Sequence, residues 1–557
     1  MEILQIGIIL LIFVLLCIPL GKYIYKVAEH ERTFLDPLLD KIDNFIYRIS
    51  GIKKEDMSWK QYILALISCN AIAAFIAYLI LRIQSIHILN PNNIGNMEQG
   101  LTFNTVISFM TNTNLQDYSG ESGLSYFSQM AVITFFMFFA AATGLAISFA
   151  FMRAISGRKR EMGNFYVDLV RIITRILLPL SIIAAIFYIQ QGVPQTLVSN
   201  KTVTTIEGKF QDISMGPVAS LEAIKMLGTN GGGFFSANSA HPFENPTPLT
   251  NVVQSVSILL LAGAVVVCFG YMLKKKKQAI SIFIAMSVLL LIGLVICYAS
   301  EKAGNPALAN LGLNQFVGNM EGKEVRLGIG LSSLFTTITT ATSAGAVNNM
   351  HDSLTPIGGL VPLMNIMLNV IFGGIGTGFM NMIMYAILTV FLCGLMVGRT
   401  PEFLSKKIEA KEIKLIALAI IIHPLLILMS SALALVVPQG TESISNPGFH
   451  GFTQVLYQFS SAAANNGSAL EGLADNTMFW NIAAGIVMFC GRYLSMIILI
   501  AVAASLASKR SIPATSGTFR TDNGIFTLTL IFIVLIMGAL TFFPALALGP
   551  IAEQLTL

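Results

Sequence analysis

The chain has 557 residues, of which 54% are hydrophobic and only 11% are charged, and its net charge is +5. Soluble proteins carry roughly 25% charged residues. This composition, with a mean hydropathy of +0.73, therefore excludes a soluble globular protein and indicates one whose surface mostly faces lipid. The small net charge gives no sign of a nucleic-acid partner, and we predict none.

Apolar runs of about 20 residues are long enough to cross a bilayer as helices. Ten such runs follow one another along the chain. They lie near 3–21, 62–83, 129–152, 172–190, 252–273, 279–299, 363–397, 415–438, 480–507 and 525–548. The sequence therefore predicts an all-α polytopic membrane protein with ten transmembrane helices, the first of them an uncleaved helix rather than a signal peptide.

The distribution of Lys and Arg predicts the orientation, because basic residues gather in cytoplasmic loops. Basic clusters lie at 22–60, 153–160, 274–277, 399–414 and 509–520. By contrast, no Lys or Arg occurs from Ile83 to Met152 or from Leu415 to Gly491. We expect the loops in those two ranges to face outward and both termini to lie outside.

Each of the four long outward segments holds an apolar stretch too short to span, followed by small and amide residues. The four loops read TNTNLQ (111–116), LGTNGG (227–232), TATSAG (340–345) and AAANNG (462–467). This alignment places Gln116 level with Gly232, Gly345 and Gly467, at intervals of about 115 residues. Each unit reads span, short re-entrant helix, loop, span. The pattern predicts four pseudo-symmetric repeats around one axis.

Irregular backbone at membrane depth persists only where protein buries it or where it lines a wet path. Glycine allows a carbonyl to turn inward, and a ring of carbonyls can replace the water shell of an ion. The short helices would end at the ring, where their negative dipole ends favour a cation. Without carboxylates, such a ring suits a monovalent cation better than a divalent one. A single glycine loop could equally be a flexible surface turn, but four matched loops favour a filter.

These motifs resemble a known family. The stretches TNTNLQ, GTNGGGFFSANSAHPFENPT, TSAGAVNNMHDS and AANNGSALEGL are similar to the four pore loops of the potassium-binding A subunits of Kdp-type potassium-transporting ATPases, in the superfamily of potassium transporters. The resemblance covers essentially the whole chain. It implies a subunit of the bacterial plasma membrane that takes up external K⁺ and passes it to a P-type ATPase B subunit, with C and F subunits completing the complex.

The resemblance also implies a set of filter residues, either as direct ligands or as supports. They are Asn112, Thr113, Asn114 and Gln116; Thr229, Asn230, Gly231 and Gly232; Thr342, Ser343, Ala344 and Gly345; and Asn465, Asn466 and Gly467. By motif matching, the resemblance places Gln116, Gly232, Gly345 and Gly467 at the family's filter positions. Gln116 makes the predicted ring only pseudo-symmetric.

The seventh run, 363–397, is too long for one straight crossing and contains FGGIGTG. Its four glycines, Gly373, Gly374, Gly376 and Gly378, predict a break that gates the ion or hands it over. Close glycine-mediated helix packing is the alternative.

Two arginines, Arg492 and Arg399, are candidates for the same gating or handover role. Arg492, near the middle of the ninth run, is costly in lipid and so a functional candidate. It could repel a leaking cation, pair with a partner, contact a polar loop or snorkel. Arg399 could contact lipid headgroups or the partner.

His241 with Glu244, and His351 with Asp352, each lack a third metal ligand at a suitable spacing. They are expected to cap helices or to hydrogen-bond loops.

The sequence has no GxxxxGK[ST] motif and no DKTGT motif. We therefore expect no nucleotide to bind this chain and no hydrolysis by it, and we expect K⁺ only as the transported ion. An autonomous potassium channel or ion-coupled carrier stays open as the alternative. The predicted organisation is a first helix and cytoplasmic loop (1–60), four pore repeats (61–160, 161–275, 276–400 and 401–510) and a final helix (511–557).

Overall fold

The computed structural model describes residues 2–157, 162–396, 398, 400–513 and 518–557. The described chain is mostly helical. Its principal helices, in chain order, are α1 (Glu2–Ala28), α2 (Asp36–Ile49), α3 (Trp59–Arg82), α4 (Gln99–Met110), α5 (Tyr126–Ser156), α6 (Phe165–Gln190), α7 (Val218–Leu227), α8 (Pro248–Leu273), α9 (Lys276–Ala303), α10 (Gly328–Ala341), α11 (Pro356–Leu368), α12 (Thr377–Met396), α13 (Ala410–Val436), α14 (Phe449–Ala464), α15 (Met478–Ala507), α16 (Gly524–Leu546) and α17 (Ala552–Thr556).

The smaller elements lie in the connections between these helices. Short helical turns occur at Gln84–Ile86, Gly120–Gly123, Asn238–Ala240, Pro306–Asn310 and Pro438–Thr441. The two hairpins are antiparallel, β1 (Lys201–Thr204) with β2 (Phe210–Ile213) and β3 (Glu402–Phe403) with β4 (Lys406–Lys407). Wider π turns interrupt α5 at Gln129–Thr134 and α6 at Ile173–Leu177, and another, Ala547–Ile551, joins α16 to α17.

Ten helices of the described chain are long and apolar enough to cross a membrane, as the sequence predicts. Nine of the predicted runs each correspond to one such helix. The seventh run does not form one helix. Its first part belongs to α11, α12 carries the crossing, and an irregular segment separates the two. The predicted break is therefore confirmed, whereas the single span 363–397 is not.

Four short helices, α4, α7, α10 and α14, each lie between two longer ones, and most of their residues are buried. They are the predicted re-entrant helices. Buried α5 and α8 lie near the centre of the protein, whereas α1 and α13 are mostly exposed on its outside. The fold thus has an apolar outer surface around a core that contains the four short helices and their loops.

Helix α1 packs closely against α8 because both carry glycine at the contact. A Cβ on Gly263 would lie 2.7 Å from the Phe13 ring, and one on Gly21 would lie 2.5 Å from Val267. Small residues allow helix backbones to approach closely in membranes, where no hydrophobic force drives helices together. This contact joins the first helix, outside the four repeats, to the second repeat.

Candidate ion-selectivity site

The four re-entrant helices end in the same backbone turn. In each, an N–H bonds back to a carbonyl five residues earlier: Thr113 to Ser108 (2.9 Å), Asn230 to Lys225 (2.9 Å), Ala344 to Thr339 (2.8 Å) and Asn466 to Ser461 (2.9 Å). This bond is typical of a Schellman-type helix end, in which the preceding residue adopts a left-handed conformation.

The left-handed residues of these turns are not glycines. They are Asn112 (φ 63°), Thr229 (φ 48°), Ser343 (φ 47°) and Asn465 (φ 54°). Asparagine visits this region with some ease, but a β-branched threonine rarely does. Four such residues at equivalent places indicate that the backbone shape is fixed by a requirement other than local preference.

These turns correct the sequence alignment of the loops. They place Asn114, Gly231, Gly345 and Gly467 at one level. The alignment that matched Gln116 and Gly232 with Gly345 and Gly467 is therefore wrong by two residues in the first loop and by one in the second. Loops made only of small and amide residues can be aligned in several ways from sequence. The hydrogen bonds at the helix ends fix one alignment.

The four loops contact one another in sequence around a closed ring. A Cβ on Gly231 would lie 2.8 Å from the Ala344 carbonyl oxygen, and a Cβ on Gly345 would overlap the Asn466 carbonyl. A Cβ on Gly467 would overlap the Thr113 carbonyl. The second loop thus touches the third, the third the fourth, and the fourth the first.

The first loop closes this ring with side chains instead of a glycine. Asn114 donates to the Asn230 side-chain oxygen at 2.8 Å, and Asn112 donates to the Thr229 carbonyl at 3.0 Å. Three of the ring's contacts use carbonyls at the same position of their turns, those of Thr113, Ala344 and Asn466. Four loops of one shape therefore form a ring with approximate fourfold symmetry.

Amide and hydroxyl groups brace the ring. Asn465 donates to the Thr113 hydroxyl at 3.0 Å and Asn466 donates to the Thr339 carbonyl at 3.3 Å. The Thr342 hydroxyl donates to Ile338, in its own helix, at 2.7 Å. Asn465 and Asn466 thus act as supports between loops, whereas the Thr342 hydroxyl makes no bond to another loop of the described chain.

Gln116 and Gly232 lie next to the ring, beyond its glycine level. The Gln116 Oε1 atom accepts a hydrogen bond from the Gly233 N–H at 2.9 Å. A Cβ on Gly232 would lie 2.7 Å from the Phe109 ring and 3.0 Å from Gln116 Oε1. All the predicted filter residues lie in these four loops and are buried, apart from half-buried Gln116 and Gly467.

A buried charge cluster joins the helix that precedes the second loop to the segment that follows it. Lys225 pairs with Glu222 at 2.6 Å and with Glu244 at 2.5 Å, and all three side chains are fully buried. Glu244 also accepts from the Phe235 N–H at 2.8 Å, and Asn238 donates to the Gly231 carbonyl at 2.6 Å. Glu244 therefore holds the chain that follows the loop. This agrees with the prediction that it hydrogen-bonds a loop.

Sequence reasoning missed Glu222 and Lys225. The signal for them was present, because the short apolar stretch VASLEAIKML carries Glu and Lys three residues apart on one helix face. The side chains of the other predicted pair, His351 and Asp352, have different partners. His351 contacts the Tyr457 hydroxyl at 3.0 Å, whereas Asp352 pairs with His450 at 2.9 Å. No group of three metal-ligating side chains occurs in the described ranges.

The broken segment between α11 and α12 contacts three of the four loop regions. The Gly373 N–H donates to the Ala341 carbonyl at 2.9 Å, and the Ile375 N–H donates to the Thr229 hydroxyl at 3.0 Å. Asn369 accepts from the Ser343 hydroxyl at 2.9 Å and donates to the Ala464 carbonyl at 3.3 Å. The break therefore lies against the ends of the re-entrant helices.

Two glycines of this segment adopt left-handed conformations, Gly373 (φ 59°) and Gly376 (φ 79°). A Cβ on Gly376 would overlap the Gly144 carbonyl of α5, and Gly378 packs against the Gly373 backbone. Gly374 makes looser contacts, with the Thr377 hydroxyl at 3.2 Å from its would-be Cβ. Gly373 and Gly376 are thus needed for the backbone path, and Gly376 also allows close packing against α5.

Arg492 lies beside this segment. Its Nη1 atom donates to the Thr377 hydroxyl at 3.3 Å, and its buried Nη2 atom has no hydrogen-bond partner in the described chain. With Asn369 and Asn465 it lines a cavity of ≈ 20 Å³, enough for about one water molecule. A guanidinium with a free buried donor therefore faces a small polar cavity next to the fourth loop. Arg399, the other predicted charge, lies outside the described residues.

Two carboxyl groups, those of Asp117 and Asp475, follow the first and fourth loops in the chain. Asp117 and Asp475 share a hydrogen-bonding contact, and no N–H or hydroxyl of the described residues reaches either oxygen of Asp117. Burial raises the pKa of Asp475 to about 6, and burial together with the neighbouring carboxylate raises the pKa of Asp117 well above its ordinary value. The pair carries less than its full negative charge at neutral pH.

The fold and the ring define a polytopic transporter-type membrane protein. The fold resembles the crystal structure of the potassium transporter TrkH from Vibrio parahaemolyticus, with a TM-score of 0.54 and 14% identity over 89% of this chain and 98% of that one. The sequence identifies the family. Residues 7–555 match the family KdpA, the potassium-transporting ATPase A subunit, and the chain belongs to that family.

Two curated relatives match along their whole length. The potassium-transporting ATPase potassium-binding subunit of Clostridium acetobutylicum is 75% identical over 558 residues, covering 100% of both chains. The subunit of the same name from Geobacillus kaustophilus is 55% identical over 554 residues, covering 99% of both.

Proposed function

We propose that this chain binds extracellular K⁺ selectively in its four-loop ring and delivers it to a P-type ATPase partner for ATP-driven import. The observation that supports this proposal is the closed ring. In it, four equivalent helix ends, each with one residue in the left-handed conformation, bring carbonyls and small residues together. Rings of carbonyls can replace the hydration shell of K⁺.

Electrostatics supports a monovalent cation in this ring. The negative dipole ends of α4, α7, α10 and α14 converge there. No carboxylate of the described residues belongs to the ring itself, and the nearby Glu222 and Glu244 both pair with Lys225. Backbone carbonyls are the proposed ligands, with amide and hydroxyl side chains holding them in place.

The broken segment and Arg492 form the proposed gate and handover point. The segment bonds to the second and third re-entrant units and, through Asn369, to the fourth. The free guanidinium donor in the adjacent cavity would disfavour a cation passing straight through. An ion leaving the ring would then be redirected toward the partner. We assign Gly373, Gly374, Gly376, Gly378 and Arg492 to this role, and Arg399 by sequence alone.

The partners are proposed from the relatives, which are named as potassium-binding subunits of a potassium-transporting ATPase. We propose a complex with a P-type ATPase B subunit, a C subunit and a small F subunit. It would lie in the bacterial plasma membrane with both termini of this chain outside. The chain itself would bind no nucleotide and hydrolyse none.

The test is to purify the complex through this chain in mild detergent and to measure ATP hydrolysis with K⁺ and with Na⁺. Copurification of an ATPase that K⁺, but not Na⁺, stimulates is the expected result. If no ATPase copurifies and the chain alone conducts K⁺ in liposomes, it is an autonomous channel or carrier instead.

A further inference from the structure

Helix α2, in the connection between α1 and α3, is amphipathic, but its apolar face is exposed. In a soluble protein such a face would pack against the core. Large apolar side chains cover its exposed face, whereas Asp36 and Asp43 are buried on the opposite face beside Leu39 and Tyr47. The outward residues, with their exposed fractions, are Phe34 (78%), which precedes the helix, Leu38 (70%), Ile42 (48%), Phe45 (64%) and Ile49 (70%). At 100° per residue these positions fall within an arc of about 80°.

The opposite face of α2 is fixed to the protein by one arginine. Arg175 of α6, whose side chain is fully buried, pairs with Asp36 at 3.0 Å, Asp40 at 2.6 Å and Asp43 at 2.5 Å. Thr33 caps the arrangement, since its hydroxyl donates to Asp36 at 2.8 Å. Three carboxylates on one guanidinium determine which way the helix faces.

The outward stripe continues the lipid-facing surface of the spans. The Phe34 ring lies 5.5 Å from the Tyr23 ring of α1, and the Tyr23 hydroxyl donates to the Arg175 carbonyl at 2.9 Å. Next to these contacts, α1 exposes Ile18 and α6 exposes Leu178 and Ile182. An exposed apolar stripe that joins the lipid-facing surface is expected to meet lipid as well.

Basic side chains border the stripe. Lys41 and Arg48 lie on its edge and are exposed, and Lys53 and Lys54 follow the helix. Lys41 and Arg48 therefore place two positive charges at the edge of the stripe, whereas Asp36 and Asp43 are buried on the opposite face. The region from Lys22 to Lys60 is cytoplasmic by the positive-inside rule, and the cytoplasmic leaflet carries anionic headgroups.

We infer that α2 lies in the plane of the cytoplasmic leaflet, with its apolar stripe among the acyl chains and with Lys41 and Arg48 against anionic phospholipid headgroups. Arg175 thereby couples the position of an in-plane helix to α6. The occupant of the stripe is the bilayer itself, not a partner protein.

The test uses tryptophan as a depth probe in the purified complex, reconstituted in vesicles of phosphatidylglycerol and phosphatidylcholine with brominated acyl chains. Phe45→Trp places the probe on the stripe, and Asn44→Trp, one exposed position away, is the matched control. Difference fluorescence against the parent protein removes the signal of Trp59 and Trp480. Leu38→Trp is a second stripe probe should Phe45→Trp not assemble.

We expect brominated lipid to quench the stripe probe at least about twofold more than the control, because the apolar face of an interfacial helix enters the bilayer by roughly 5–10 Å. Equal quenching of both positions would overturn the inference. If brominated lipid quenches the stripe probe in the chain alone but not in the complex, a partner subunit covers the helix. That result would also overturn the inference.

The headgroup contact has its own readout. Lys41→Gln with Arg48→Gln should remove most of the difference in stripe quenching between phosphatidylglycerol-containing and pure phosphatidylcholine vesicles. Lys201→Gln with Lys209→Gln, in the β1–β2 hairpin, is the control for lost charge elsewhere. An unchanged lipid dependence in the first pair would exclude anionic headgroups as the ligand of Lys41 and Arg48.

Discussion

The Thr229 hydroxyl accepts a hydrogen bond of 3.0 Å from the backbone N–H of Ile375. Thr229 is the left-handed residue of the second ring loop, and Ile375 lies in the unwound segment between α11 and α12. One side chain thus joins the proposed filter to the proposed gate. We therefore expect a change in the shape of either element to affect the other through this bond.

Thr229→Val should therefore weaken K⁺ handling with little change in side-chain volume. The buried Ile375 N–H loses its acceptor, at a cost of about 1–3 kcal/mol. We expect the half-saturating K⁺ concentration for ATP hydrolysis by the complex to rise by about tenfold, the equivalent of ~1.4 kcal/mol. Thr342→Val is the control, because that hydroxyl bonds only within its own helix. Equal effects of the two changes would argue against a filter–gate link.

The charge cluster behind the second loop should be needed for stability. Lys225→Met leaves Glu222 and Glu244 buried without a cation, and losing one partner of a buried ion pair costs about 3–5 kcal/mol. Thermal unfolding of the purified protein should show a large decrease in midpoint. Adding Glu222→Gln and Glu244→Gln to this variant should restore part of the loss. If Lys225→Met alone unfolds at the wild-type temperature, the cluster is not structural.

The His450 imidazole should stabilise the protein in a defined pH range. Hydrogen bonds to Asp352 and Glu553 raise the pKa of His450 from 6.5 to about 10. A raised pKa means that the charged form stabilises the fold fully below about pH 6.5, and that this contribution declines until it is lost near pH 10. The unfolding midpoints of His450→Gln and wild type should thus differ most near pH 6 and converge near pH 10. A difference that grows with pH would contradict this assignment.

The Asp117–Asp475 pair predicts that external acid weakens K⁺ uptake. Because burial raises the pKa of Asp475 to about 6, the carboxylate is charged above that pH and loses its charge below it. Neither carboxylate forms an ion pair with a Lys, Arg or His of the described residues. Between pH 7 and pH 5 the half-saturating K⁺ concentration should rise by up to about fivefold, the equivalent of ~1 kcal/mol. Asp475→Asn should flatten this dependence, and an unaltered slope would exclude the pair.

Much of the fold could be predicted from the sequence, because lipid demands long apolar runs and the re-entrant stretches are visibly too short to span. The break near Gly373 was predictable for a similar reason, since four glycines in seven residues do not sustain a helix. The loop alignment was not. Asn114 contacts the neighbouring loop through its side chain, whereas Gly231, Gly345 and Gly467 do so through their backbone. Matching residue types therefore gave the wrong alignment, and the Schellman-type helix ends give the right one.

Other features depend on contacts that no local pattern reveals. The pairing of Lys225 with Glu244 joins residues on either side of the glycine loop. The orientation of α2, with its apolar face exposed, is visible only once Arg175 is placed among its three acids. The free Nη2 atom of Arg492 likewise emerges from packing, although the residue itself was a candidate from sequence.

The most direct test of the ring is equilibrium binding of K⁺ and Na⁺ to the purified complex, measured by calorimetry for wild type, Gly345→Ala and Gly359→Ala. Gly345 is left-handed and its Cβ would overlap the Asn466 carbonyl, whereas the nearest atom to a Cβ on Gly359 is 4.0 Å away. The predicted result is that wild type and Gly359→Ala prefer K⁺ strongly and that Gly345→Ala loses that preference. Undiminished preference for K⁺ in Gly345→Ala would contradict the assignment of these loops as the selectivity filter.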